Sequence, residues 1–160
     1  MRTSDGELLR SFAARPGEAP LAHTPAFLED YALFVHGLLT LADACRRLND
    51  KASDHYLQAA KSAFEIAERL FRSPDGGYFD TRESQRDVFV RAQSIHDGAI
   101  PSASAIMIQS AIELSRLTGD NEYADHNICG AAFALVFFVV VARSVVGHST
   151  PPTRRRRPIT

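Results

Sequence analysis

The sequence predicts an all-α fold of antiparallel helical hairpins, with a small β-hairpin in one of the connections. Three observations predict it. Apolar residues recur at three- and four-residue spacing over three long stretches, turn-forming clusters separate those stretches, and one pattern of helix ending and restart occurs twice. With 160 residues and 45% hydrophobic content, the chain has the length and composition of one domain able to bury a core.

The first residues, Gly6-Glu7-Leu8-Leu9-Arg10-Ser11-Phe12, read as a short strand or hairpin arm before the loop Arg15-Pro16-Gly17-Glu18-Ala19-Pro20. Thr24 as N-cap and Pro25 at the first helical position then open a helix expected to run to about Leu48. Its apolar positions include Leu28, Tyr31, Leu33, Phe34, Val35, Leu38, Leu39 and Leu41. They form a stripe wider than one seam, as in a helix packed on two sides. Asn49-Asp50-Lys51 gives a turn and Ser53-Asp54 a fresh cap. A second helix follows with Tyr56, Leu57, Ala60, Ala63, Phe64, Ala67, Leu70 and Phe71 on one face and Lys61, Glu65, Glu68, Arg69 and Arg72 on the other. The two make an antiparallel αα-hairpin whose first helix is the more buried.

Ser73-Pro74-Asp75-Gly76-Gly77 is a loop that enters an extended piece at Tyr78-Phe79, and Phe89 and Val90 lie in a second such piece, so a β-hairpin is expected over Tyr78 to Arg91. Asp97-Gly98-Ala99-Ile100-Pro101-Ser102 leads into a third helix, whose apolar set is Ile106, Met107, Ala111, Ile112, Leu114 and Leu117 and which Thr118-Gly119-Asp120 closes. The repeat links the two hairpins. Leu48 and Leu117 each end a helix with an aspartate close behind, Asp50 or Asp120, and Tyr56 or Tyr123 opens the next one. The spacing of about 70 residues exceeds the usual solenoid period because the connection carries its own β-hairpin. Stacked helix pairs with elaborated loops at one end build an (α/α) toroid whose mouth is made by those loops.

Charge excludes some functions. Eighteen Lys and Arg against 19 Asp and Glu leave a net charge of -1, with no basic field to draw nucleic acid. The two cysteines, Cys45 and Cys129, make neither a disulfide framework nor a CxxC ligand pair, and read as small buried residues. Asp5, Glu7, Arg10 and Arg15 interrupt any secretory signal, so the expected location is cytoplasmic. His23, His36, His55, His126 and His148 lack metal-ligand spacing, and no cofactor motif occurs, so neither a metal nor a cofactor is expected.

Four runs carry a family resemblance: Phe27-Leu28-Glu29-Asp30-Tyr31-Ala32, Gly76-Gly77-Tyr78-Phe79-Asp80-Thr81, Asp97-Gly98-Ala99-Ile100-Pro101-Ser102 and Leu117-Thr118-Gly119-Asp120. In order and spacing they resemble successive blocks of the spermatogenesis-associated, thioredoxin-domain-containing family, over roughly Gly6 to Tyr123. The resemblance implies part of an (α/α)6 barrel of the six-hairpin glycosidase type and a link to carbohydrate metabolism, with the reaction unassigned. It implies no redox role, since the thioredoxin-like part of that family has no counterpart among these residues. Ser102-Ala103-Ser104-Ala105 also departs from the pattern, lacking the glycine and asparagine that usually follow this serine.

The expected domain boundary is near residue 126, with a partial toroid over 1–126 and an atypical tail over 127–160. The tail runs from Ile128 through an apolar, Val-rich stretch to Ala142, then Arg143, and ends in Pro151-Pro152-Thr153 and Arg154 to Arg157. Three readings are open: a membrane anchor over 128–147 in which Arg143 snorkels, a buried helix, or an abnormal end produced by truncation, splicing or a shifted frame. The last has the most weight, because the uninterrupted run is short for a membrane span and valine is a poor helix former. The arginine run reads as a solvated tail rather than a nucleic-acid patch.

For a ring-shaped sugar site the chemistry needs one group to give a proton and another to take one. Asp30 and Asp97 are the catalytic candidates, with Glu29, Tyr31, Tyr78 and His96 as substrate contacts. Glu29 and Asp30 diverge by about 100° on a helix, so only one of them can face a given sugar. Each candidate also has a structural reading: Asp30 as first-turn stabiliser, Tyr31 as core, Asp97 as an Asx-turn. Two functions follow, a carbohydrate-active domain or a non-catalytic helical scaffold, and convergence of these groups at one end of the hairpins separates them. The expected partner is a carbohydrate-type small molecule, and a segment that completes the ring is also open.

Overall fold

A computed structural model describes residues 2–13, 16–17, 21–22, 24–85, 90–93 and 101–123. The chain divides into the units Met1–Cys129 and Gly130–Thr160, and every described residue belongs to the first. The tail readings over 127–160 therefore lie outside the described residues. Among the described residues no helix is long and apolar enough to cross a membrane.

The fold is all-α: α1 (Leu28–Arg47), α2 (Ala52–Phe71) and α3 (Ala103–Thr118), preceded by the two-residue strands β1 (Phe12–Ala13) and β2 (Leu21–Ala22). The strands pair antiparallel, with Phe12 opposite Ala22 and Ala13 opposite Leu21, so of the arm expected over Gly6 to Phe12 only Phe12 lies in a strand, while Leu8 and Leu9 make isolated bridges. Helix α1 starts three residues later than the Thr24-Pro25 signal predicts. Thr24 and Pro25 are occupied by the N-terminal segment, since the Arg10 N–H donates to the Thr24 carbonyl (2.7 Å) and Leu9 bridges Pro25. The Ala26 N–H likewise donates to the Leu8 carbonyl (3.1 Å). The actual N-cap is Phe27, whose side chain has no acceptor, and Asp30 supplies one by taking the Phe27 N–H at Oδ2 (2.9 Å).

Helices α1 and α2 have 20 residues each and form the expected hairpin. Asn49, at φ 55°, takes the left-handed turn conformation, and Asp50 accepts the Ala52 N–H (2.9 Å) to start α2. The core lies between Leu28, Tyr31, Val35 and Leu39 of α1, Ala60, Phe64, Ala67 and Phe71 of α2, and Met107, Ala111 and Leu114 of α3. The alanines of α2 let the helices approach closely, and Tyr31 meets Phe71 edge-on at 5.5 Å. Ser102 caps α3, and Gly119 closes it at φ 77°, a left-handed C-cap that glycine reaches without strain.

Arg116 joins the far end of α3 to α1 through Asp43 (2.8 Å) while also pairing with Glu113 (2.6 Å). The Arg116 hydrogen bond holds the Asp43 carboxyl below the usual range. The central residues of the hairpin expected over Tyr78 to Arg91 lie outside the described residues. Its described residues form no strand: Tyr78 makes an isolated bridge with Arg72, and the Asp80 N–H donates to the Ala92 carbonyl (2.9 Å).

Two-sided packing of α1 is where sequence and structure differ most. One side of the helix is buried, but Leu33, Phe34 and Leu41 on the other are 45%, 37% and 47% exposed.

Candidate functional site

The starts of α1 and α3 border one cavity of about 350 Å³, lined by Phe27, Glu29, Asp80, Thr81, Pro101, Ser102 and Ala103. Backbone bonds bring these distant residues together. The first N–H of α1, on Leu28, donates to the Asp80 carbonyl (3.0 Å), which seats the 78–81 segment against the helix start. Arg91 fixes the next residue, donating Nε (2.9 Å) and Nη2 (2.7 Å) to the Thr81 carbonyl while its guanidinium lies 4.0 Å over the Phe79 ring. From the third side, Ser102 Oγ accepts the Ala105 N–H (3.3 Å), which sets the entry angle of α3.

The resulting wall is polar in a particular way. Glu29 has no hydrogen bond or ion pair among the described residues, and the Thr81 hydroxyl is buried without a hydrogen-bond partner. With Asp80 and Ser102 beside Phe27, the lining holds two carboxyl-bearing residues and one serine, while the Thr81 hydroxyl oxygen is itself enclosed. Such a set accepts and donates hydrogen bonds to a polyhydroxylated molecule, with an aromatic face for its C–H groups. Glu29 reaches the cavity from the start of α1 and Asp80 from the segment that follows Tyr78-Phe79.

Of the residues singled out from sequence, Glu29 lines the cavity and three others lie in the fabric of the fold. Asp30 is beside the cavity but faces the backbone: one carboxylate oxygen takes the Phe27 N–H and the other stands 3.7 Å from Arg10 Nε. The ring of Tyr31 is wholly buried, and its hydroxyl accepts the Leu8 N–H at 2.8 Å. Burial raises its pKa above the ordinary tyrosine value. Tyr78 is equally buried and donates its hydroxyl to the Glu68 carboxylate, which also pairs with Arg72. Burial first, and the Glu68 charge second, raise its pKa strongly. His96 and Asp97 lie outside the described residues. No group of three or more metal-ligating side chains occurs among the described residues.

Sequence reasoning missed Asp80 and Thr81 as site residues. The available signal was their position immediately after Tyr78-Phe79, where the chain leaves the core for the loop end that also receives the helix starts. A second cleft of about 380 Å³ at the opposite ends of the helices has most of its polar groups engaged. There Asp50 caps Ala52, Ser53 donates to the Ala42 carbonyl, and Arg46 donates to the Leu117 carbonyl.

Fold and site together define a helical-hairpin segment that presents one carboxyl-bearing cavity at its loop end. The chain is homologous to spermatogenesis-associated protein 20. It is 34% identical to the rat protein over 131 residues and 30% identical to the mouse protein over the same length, 79% of this chain in each case. An uncharacterized protein of Caenorhabditis elegans is 30% identical over 124 residues, or 76% of the chain. The chain spans 16% of the length of these relatives. No family model matches it.

Proposed function

We propose that the chain is a hairpin segment of a six-hairpin glycosidase-like ring, cytoplasmic, whose loop-end cavity takes a carbohydrate-type small molecule. The observation that carries this reading is the convergence of Glu29, from the start of α1, with Asp80 and Thr81, from a loop some 50 residues later, around one cavity beside Phe27. Glu29 and Asp80 are the side chains that accept hydrogen bonds from sugar hydroxyls, and Ser102 contributes a hydroxyl. In this reading Asp30 positions the site by fixing Phe27, and further hairpins complete the ring. The alternative, a scaffold without a ligand, draws on the structural use of Asp30, Tyr31 and Tyr78.

Titration of the full chain with a panel of neutral mono- and disaccharides, followed by NMR shifts of the Glu29, Thr81 and Ser102 amides, separates the two. The expected result is saturable shifts at these amides, weakened at least about tenfold in Glu29→Gln and in Asp80→Asn. No saturable shift with any sugar would favour the scaffold.

A further inference from the structure

We infer that Glu7 and Arg10, on the segment that precedes β1, are positioning residues of the loop-end cavity, each holding a different part of its lining. Arg10 holds the start of α1 in two ways. Its guanidinium lies 4.9 Å from the centre of the Phe27 ring, and its Nε stands 3.7 Å from the Asp30 carboxylate, whose other oxygen takes the Phe27 N–H (2.9 Å). Ring and backbone of one lining residue are thus fixed from a side chain that does not itself line the cavity.

Glu7 holds the loop part of the lining. Its Oε2 accepts from Nη1 of Arg82 (2.9 Å), the residue directly after Asp80 and Thr81, while its Oε1 stands 3.5 Å from Arg69 of α2. Arg82 Nε and Nη2 are buried without a hydrogen-bond partner, so among the described residues the bond to Glu7 is what anchors this guanidinium. Without the carboxylate, a poorly hydrated charge has to turn toward water, and the neighbouring Thr81 moves with it. Glu7 and Arg10 act together because the backbone between them is pinned. The Leu8 N–H donates to the Tyr31 hydroxyl (2.8 Å), the Leu8 carbonyl accepts from Ala26 (3.1 Å), and the Arg10 N–H donates to the Thr24 carbonyl (2.7 Å). Three residues of extended chain span about 10 Å, which lets one short segment brace the loop and the helix start at once.

The test compares variants of the full chain by NMR without ligand. Arg10→Ala should shift the Thr81 amide, and Glu7→Ala should shift the Phe27 amide and ring signals, in each case at the part of the lining that the replaced side chain does not touch. Arg10→Lys keeps a cation for the Phe27 ring and should return Thr81 toward its original position. The Asn49 and Asp50 amides, at the other end of the helices, should stay in place throughout. Arg10 is 44% exposed, so its replacement leaves the core intact and decides the matter even where Glu7→Ala fails to fold. What the cavity binds rests on the carbohydrate reading, whereas its bracing by this segment does not. Where glucose or maltose binds the unaltered chain, Arg10→Ala should raise the dissociation constant at least about threefold and Arg10→Lys should recover it. Where neither sugar binds, that reading fails and the ligand-free shifts still decide the role of Glu7 and Arg10. Shifts confined to the neighbourhood of each substitution overturn the inference, and so do shifts that reach Asn49 and Asp50 equally, as general loosening.

Discussion

Tyr31→Phe removes one oxygen atom and should detach the N-terminal segment from the helices. The ring of Tyr31 keeps its edge contact with Phe71, so packing is retained. The loss is the 2.8 Å bond from the Leu8 N–H, a donor at a residue only 8% exposed. Leaving a buried N–H unpaired costs about 1–3 kcal/mol. Water reaches this edge of the core poorly, so a value near the middle of that range, about 2 kcal/mol, is expected. For a cooperative unit of this size that corresponds to a fall in melting temperature of roughly 6–10 °C. The assay is urea unfolding combined with amide hydrogen exchange. The Leu8 amide, and Ala26, whose N–H bonds the Leu8 carbonyl (3.1 Å), should lose protection ahead of the α1 and α2 cores. A variant that loses less than about 0.5 kcal/mol and keeps Leu8 protected would refute the assignment of that bond as the anchor of the segment.

Ser110 is wholly buried in α3 and its hydroxyl has no hydrogen-bond partner, so Ser110→Ala should stabilise the chain by about 1 kcal/mol, since it removes a desolvated polar group and improves helix propensity; chemical denaturation reads it directly, and a destabilised variant would contradict it. Alkali should weaken the fold. The folded-state pKa of Tyr78 is raised, so above about pH 10 the unfolded chain releases that proton and the folded chain retains it, and stability falls by up to about 1.4 kcal/mol per pH unit. Tyr78→Phe should flatten this slope between pH 9 and pH 11 in urea titrations, and an unchanged slope would place the alkaline loss elsewhere.

Much of the fold was legible in the sequence because its determinants are local. The three helices follow from apolar spacing, and Gly119 and the Asn49-Asp50 turn mark ends that backbone conformation demands. The start of α1 was misplaced because Thr24-Pro25 is a valid helix signal that lost to a non-local demand, the pairing of Leu9 and Arg10 with that same stretch. The breadth of the α1 stripe correctly indicated two apolar sides but not that one of them stands open among the described residues. At the site, Glu29 was legible from its place at a helix start. Asp80 and Thr81 were not, because their approach to α1 rests on the bond from the Leu28 N–H to the Asp80 carbonyl, which leaves no trace in residue type. Tyr31 and Tyr78 were drawn into the site by their chemistry, whereas the Tyr31 hydroxyl answers the buried Leu8 N–H and the Tyr78 hydroxyl the half-buried Glu68 carboxylate.

Glu7 accepts from Arg82 (2.9 Å) and stands 3.5 Å from Arg69, so one carboxylate near the N-terminus neutralises two guanidiniums from α2 and the cavity loop. This constrains how the three positions drift among homologues. Arg82 is only 12% exposed, and a lineage that lost Glu7 first would strand its charge in a poorly hydrated place beside Thr81. A lineage that first replaced Arg82 with an apolar residue would leave Glu7 still paired with Arg69. Substitutions at 7 and 82 should therefore be correlated and ordered, with apolar residues at 82 appearing on a Glu7 background before Glu7 itself is lost.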